Sequence, residues 1–205
     1  TNNAGGVAGS ANAAQISSVE VTGSKITADK NAGGIAGAFA GKIEATQVEA
    51  TVSGDIAGGF IGTTMLGTKA VITNSKANAK VIPIEGAASA GGFAASVTNG
   101  SALTIADSVV MGGSSIGSSM ASGGFIGDVQ GEAEVLGSAS YAEVEGYKSS
   151  TKVAVGTGGV IGKVSCADFS DVSVKNVNVG GKVTAYNYAG GIIGWCNSPL
   201  YIKNC

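Results

Sequence analysis

The sequence predicts an all-β fold: a single-stranded β-helix, or β-solenoid, of about six to seven coils of 25–35 residues, with three short parallel strands per coil. Three observations lead there. A short glycine motif recurs along the whole chain, the composition favours small and β-branched residues, and no apolar pattern holds the 3.6-residue period of a helix beyond a single turn.

The repeat carries most of the weight. Seven copies of the motif occur: Gly5-Gly6-Val7-Ala8-Gly9, Gly33-Gly34-Ile35-Ala36-Gly37, Gly58-Gly59-Phe60-Ile61-Gly62, Gly91-Gly92-Phe93-Ala94-Ala95, Gly123-Gly124-Phe125-Ile126-Gly127, Gly158-Gly159-Val160-Ile161-Gly162 and Gly190-Gly191-Ile192-Ile193-Gly194. Their starts lie 28, 25, 33, 32, 35 and 32 residues apart. The two glycines leave room either for close backbone approach or for a positive φ at a corner.

A second element follows each motif after a variable loop. It places a β-branched residue three positions before a small or polar one, as in Ile43 to Thr46, Ile72 to Ser75, Ile105 to Ser108, Val135 to Ser138, Val174 to Val177 and Ile202 to Cys205. A third apolar stretch precedes the next glycine pair, as in Val48 to Val52, Ala79 to Ile84, Tyr141 to Val144 and Val179 to Val183. One such coil cannot bury its apolar face or pair its own backbone, whereas stacked coils do both. Insertions are expected between the first and second strands, on one edge of the rod.

The file Val7, Ile35, Phe60, Phe93, Phe125, Val160 and Ile192 is apolar throughout and is the expected inward ladder. The adjacent file, Ala8, Ala36, Ile61, Ala94, Ile126, Ile161 and Ile193, is apolar too, which strict strand alternation does not allow beside a wet face. Two explanations stand: the chain bends and turns both residues inward, or the outer face is covered.

Composition bounds function as much as fold. The 205 residues are 44% hydrophobic with 35 Gly, five Phe and one Trp, which suits narrow stacked layers. Only Pro83 and Pro199 interrupt ladder donors. The net charge of −2 comes from 12 Lys and 14 acidic residues with no Arg and no His. Without a basic stripe, nucleic acid is not an expected partner. Missing His and Arg removes the commonest general base, the commonest metal ligand and the bidentate anion clamps.

No catalytic, cofactor or metal site is therefore expected. No apolar run reaches 18 residues and no leader opens the chain, so membrane insertion is not expected. Residues 1–205 read as a single β-solenoid domain that begins and ends inside a repeat, as a piece of a larger protein.

The glycine motif followed by a strand such as Val71-Ile72-Thr73-Asn74-Ser75 resembles the GLUG-motif repeats of bacterial surface adhesins and of the repeat regions of immunoglobulin A1 metallopeptidases. The likeness spans essentially the whole chain. It departs at Ala95, where the other copies have Gly, at the alanines 8, 36 and 94, and in its loop lengths. The resemblance implies an extracellular, cell-surface or secreted location and a structural or adhesive role, with a host or neighbouring-cell protein or glycan as partner. It implies no peptidase activity here, because the zinc-binding helix of those enzymes needs two His.

Candidate contacts and bridges concentrate in the last coils. Cys166 and Cys196 follow the motif in adjacent coils and could form a disulfide; Cys205 could join one instead, or all three could be buried thiols. Tyr141, Tyr147, Tyr186, Tyr188, Trp195 and Tyr201 include every Tyr and the single Trp. They read either as a ligand or partner platform or as packing at the C-terminal end.

The carboxylate pairs Glu132 and Glu134, Glu143 and Glu145, and Asp168 and Asp171 invite a polysaccharide-active reading. The absence of a basic His or Arg partner argues for solvated decoration instead. Uncapped strand edges at both ends make end-to-end self-association an expectation.

Overall fold

A computed structural model of the protein describes residues 1–84, 88–148, 156–166 and 171–205. It is an all-β solenoid without a helix among those residues, with parallel strands stacked coil on coil in three sheets. The seven glycine-led segments enclose about six turns, as the repeat predicts.

Sheet I stacks seven short strands in sequence order, Asn3–Gly5, Asn31–Gly33, Ile56–Gly58, Ser89–Gly91, Ala121–Gly123, Gly156–Gly158 and Ala189–Gly190. Each ends on the first glycine of a motif. Sheet II begins just beyond the motif. It has one long strand in each of the first two coils, Ala8–Ser17 and Ala36–Glu44, and two shorter ones in each later coil, such as Ile126–Val129 and Glu132–Leu136. Sheet III runs from Glu20–Thr27 through Gln47–Gly54 and Lys76–Pro83 to three split rungs ending at Asn178–Val179 and Val183–Thr184.

The glycine corner explains the two apolar files. Between sheets I and II the chain bends at the second glycine and the following apolar residue. Both neighbours then point inward: Ile35, Phe60, Phe93, Phe125 and Val160 are fully buried, and so are Ala36, Ile61, Ala94, Ile126 and Ile161. No motif glycine has positive φ. They serve close approach instead. A Cβ on Gly34, Gly59, Gly92, Gly124 or Gly159 would overlap the carbonyl oxygen of the matching glycine one coil later.

A file of positive φ marks the opposite corner, between sheets II and III. Ser18, Ala45, Asn74, Asp107, Gly137, Asn176 and Asn204 form one file there, with φ between 49° and 58°. Asn, Asp and Gly tolerate this left-handed conformation; Ala does so at a cost of about 1–2 kcal/mol. Ala45→Asn is therefore expected to raise stability by about 0.5–1 kcal/mol in chemical denaturation.

The residue after each corner closes it. The backbone N–H groups of Thr46, Ser75 and Ser108 each donate to the hydroxyl one coil later, on Ser75, Ser108 and Ser138, at 3.2 Å. The serine hydroxyls in turn donate to carbonyls two residues back, at 2.7–2.8 Å. These hydroxyls are buried and fully used, which avoids the penalty of an unpaired polar group.

Loop length varies in more places than the sequence predicts. Phe39 pairs with Thr64 and Gly41 with Ala70, so four extra residues are looped out within sheet II at Met65–Thr68. Further insertions interrupt sheet III at Met111–Ser114 and lie between sheets III and I. The two ladder-pinned corners cannot absorb length, whereas connections on the outer edges can.

Candidate functional site

A concavity lies on the outer face of sheet II, where Ala102–Ala106, Glu132–Leu136, Val172–Lys175 and Leu200–Lys203 stack in register. Alternation decides the faces. Leu103, Ala133 and Val172, then Ile105, Val135 and Val174, point into the core. Thr104, Glu134, Ser173 and Tyr201 form the outward file beside them. Small Ala102 and Thr104 beneath larger Glu132 and Glu134 make a step, and the resulting groove has a volume of about 450 Å³ with Asp171, Lys175 and Tyr201 also on its walls.

Contacts between coils hold the walls in place. Lys175 Nζ lies 2.9 Å from Glu134 Oε1, and Ser173 Oγ donates to the same oxygen at 3.3 Å. The ammonium also sits 5.7 Å from the centre of the Tyr201 ring. The Lys175 and Glu134 side chains are 34% and 38% exposed, so the ion pair adds little stability and acts mainly to position the groups. The groove offers an aromatic face, carboxylate acceptors and hydroxyls, with its cation already engaged.

A related arrangement lies on the first half of the same sheet. Asp128, Lys163 and Trp195 stack in register over three coils, with Lys163 Nζ 3.6 Å from Asp128 Oδ1 and 5.9 Å from the Trp195 ring. Gln130 Nε2 donates to the other Asp128 oxygen at 2.8 Å. The Lys163 and Asp128 side chains are mostly buried, Trp195 is partly buried and Gln130 exposed, and the cluster fastens coils together.

The six aromatics singled out from the sequence do not form one platform. Tyr141 lies on sheet III against Gly180, and Tyr147 folds over Gly117. Burial, with Glu145 adding to it, pushes the Tyr147 hydroxyl above its ordinary pKa. Tyr186 is more than half exposed under Lys148, 5.2 Å away, and Tyr188 is similarly exposed at the entry to sheet I. Trp195 and Tyr201 lie on the two halves of sheet II. They are spread over the last three coils, and only Tyr201 joins the groove.

Of the carboxylate pairs, Glu132, Glu134 and Asp171 meet in the groove. Glu143 and Glu145 lie on sheet III, and Asp168 lies outside the described residues. The sequence reading missed Thr104, Ser173 and Lys175. Their signal was available: each stands an even number of residues from an inward-facing neighbour's outer partner, on the same strand face.

The three cysteines are free thiols. Cys196 pairs with Val164, while the Cys166 amide donates to Ser198 Oγ at 2.9 Å, so the two are offset by two residues on adjacent strands. That offset separates their Cα atoms by roughly 8 Å, beyond the usual reach of a disulfide. Burial pushes the Cys166 thiol above its ordinary pKa, against the pull of the Ser198 hydrogen bond. Cys205 sits in the serine file, its Sγ 3.2 Å from the Lys203 carbonyl as the serines are from theirs. Intact mass with and without reductant is expected to show no two-dalton difference; a gain on reduction would reveal a bridge.

Among the described residues no cluster of three or more His, Cys, Asp or Glu is placed to hold a metal, and no helix is long and apolar enough to cross a membrane. No family model matches the chain, and no curated protein matches it. Among solved structures it is similar to a Bacteroides ovatus protein named as a candidate immunoglobulin A1 protease, with a TM-score of 0.69 and 21% identity. The match covers 94% of this chain and 57% of that one, and at this identity what the two share is the fold: a β-solenoid.

Proposed function

We propose that this chain is a non-catalytic structural and adhesive repeat module of a bacterial cell-surface or secreted protein, presenting its loops and the outer face of sheet II to a protein or glycan. The observation that carries this reading is the groove across four coils. Its acidic and hydroxyl groups stand on strands paired on both edges, and Tyr201 on the last strand of the sheet, paired on one, so the stacked coils hold them in place on the outer face where a partner can reach them. The GLUG-like repeat supports the extracellular setting.

The purified chain, coupled to beads, is expected to retain host or neighbouring bacterial cells above the level of an unrelated β-helical rod. Equal retention by both would remove the adhesive role.

The likeness to the Bacteroides ovatus protein favours a second reading, in which the solenoid is the non-catalytic repeat region of a secreted immunoglobulin-cleaving metallopeptidase. The zinc-binding helix would then lie elsewhere in the protein, because this chain has no His. Flanking sequence with an HExxH helix would select that reading.

The chain taken alone is also expected to stack end to end. Core files reach its first and last coils, where Val7 is 49% and Ile202 45% exposed. At the glycine corner the amides of each coil donate to carbonyls of the next, as Gly6 does to Gly34 and Gly159 to Gly190 at 3.1 Å, so a second copy continues the same pattern. Light scattering should rise with concentration; a strict monomer at high concentration would contradict the stacking.

A further inference from the structure

We infer that the sheet II groove takes a non-acidic saccharide, uncharged or amine-bearing, stacked on Tyr201 and hydrogen-bonded by the carboxylates around it. This rests on the contact-module reading and names the chemistry of its partner.

The argument begins with what the groove lacks. The strands that hold its acidic and hydroxyl groups, Ala102–Ala106, Glu132–Leu136 and Val172–Lys175, are paired on both edges by neighbouring coils, and Leu200–Lys203, which carries Tyr201, has its one open edge on the side away from them. Within the groove a peptide therefore cannot add itself as a further strand, which is the mode that gives extended peptides their main-chain affinity. Recognition falls to side chains alone. What these supply suits a sugar: a half-exposed tyrosine ring for the apolar face of a pyranose, and acceptors spaced along the sheet for its hydroxyls. A volume of about 450 Å³ lies within the ordinary range of small-ligand sites.

Charge then selects among sugars. Glu132, Glu134 and Asp171 bring three negative charges to the groove, and the Lys175 ammonium is held between Glu134 and the Tyr201 ring. A uronic or sialic acid would place its carboxylate among these three, and the lysines nearest in register, Lys69 one strand beyond Ala102 and Lys203 one strand beyond Lys175, are not on the groove's walls. Neutral hydroxyls can donate to Glu132, Asp171 and the unengaged oxygen of Glu134, and a sugar ammonium does so with added Coulomb attraction. Lys175 also pins the Tyr201 ring, so the platform is set before the ligand arrives.

The test is calorimetric titration of the whole chain with three tetrasaccharides: cellotetraose, a β-1,4-glucosamine tetramer and a galacturonate tetramer. The glucosamine tetramer is expected to bind tightest, with an advantage over cellotetraose that shrinks as salt is added. The galacturonate tetramer is expected not to bind.

Tyr201→Ala should weaken the first two by about tenfold or more, as loss of an aromatic anchor commonly does, while Tyr201→Phe keeps the ring and the binding. The thermal midpoint of Tyr201→Ala should stay near that of the parent, since the ring is half exposed. Preference for the galacturonate, undiminished binding by Tyr201→Ala, or binding of a lysine-rich peptide where no tetrasaccharide binds would overturn the assignment. If no tetrasaccharide binds while the chain still holds cells, the groove's ligand is wrong and the module reading stands. If sugars bind and no cells are held, the reverse applies.

Discussion

Replacing Phe93 by alanine is expected to lower the free energy of unfolding by about 3–5 kcal/mol, read from chemical denaturation. Phe93 is fully buried in the middle of a file of rings, its centroid 4.5 Å from that of Phe60 and 5.4 Å from that of Phe125, both stacked nearly parallel. Truncation removes the transfer energy of the ring and opens a void that neighbours cannot fill. The backbone on either side is tied coil to coil, as Phe60 N to Phe93 O at 3.0 Å and Phe93 N to Phe125 O at 2.9 Å, so the walls cannot collapse inward. Against a typical domain stability of about 5–15 kcal/mol, this is a large fraction. Val7→Ala, in the same file but half exposed on the first coil, is expected to cost less than about 1 kcal/mol. Equal effects at the two positions would mean that the file is not a continuous core.

Gly92→Ala is expected to cost at least about 3 kcal/mol or to prevent folding, although it adds one methyl group. A Cβ there would overlap the Gly124 carbonyl oxygen and lie 3.0 Å from both Val110 methyl groups. The obstruction is backbone, which cannot rotate away. Parallel coils spaced about 4.8 Å apart cannot open locally without breaking ladder hydrogen bonds. Gly191→Ala supplies the control. It occupies the same file in the last coil, where an added Cβ meets nothing within 4 Å, and is expected to change stability by less than about 0.5 kcal/mol. Thermal or denaturant midpoints of the two variants decide the matter. If Gly92→Ala matches Gly191→Ala, the glycine segments are not stacked as described.

Much of this architecture is legible in the chain because a solenoid turns sequence period into spatial register. Ile43, Ile72, Ile105, Val135 and Val174 recur at the same place in each repeat, and all are fully buried in one file. The left-handed corner was within reach too. Asn74-Ser75, Asp107-Ser108 and Gly137-Ser138 each pair a residue tolerant of positive φ with a hydroxyl that bridges coils. The serine file drew attention, whereas Ala45 and Ser18 at the same corner obscured the residue before it, since neither type favours that conformation.

The groove was less legible. Glu132 and Glu134 invite attention as a pair, yet what joins them to Asp171, Ser173, Lys175 and Tyr201 is vertical stacking across loops of unequal length. The aromatics show the same limit, because their crowding between 141 and 201 suggests one platform and the coil carries them to three sides.

From the amino-acid sequence alone came the parallel solenoid, its approximate number of coils and its inward ladder, because each depends on a pattern repeated seven times and one irregular copy cannot hide it. Tertiary structure alone decided that both apolar files turn inward, that the motif glycines serve close approach, and that Lys175 joins Glu134 to Tyr201. Those outcomes depend on how far the backbones of neighbouring coils approach and which way single side chains leave their strands. Such distances are set by packing between coils, and no local pattern encodes them.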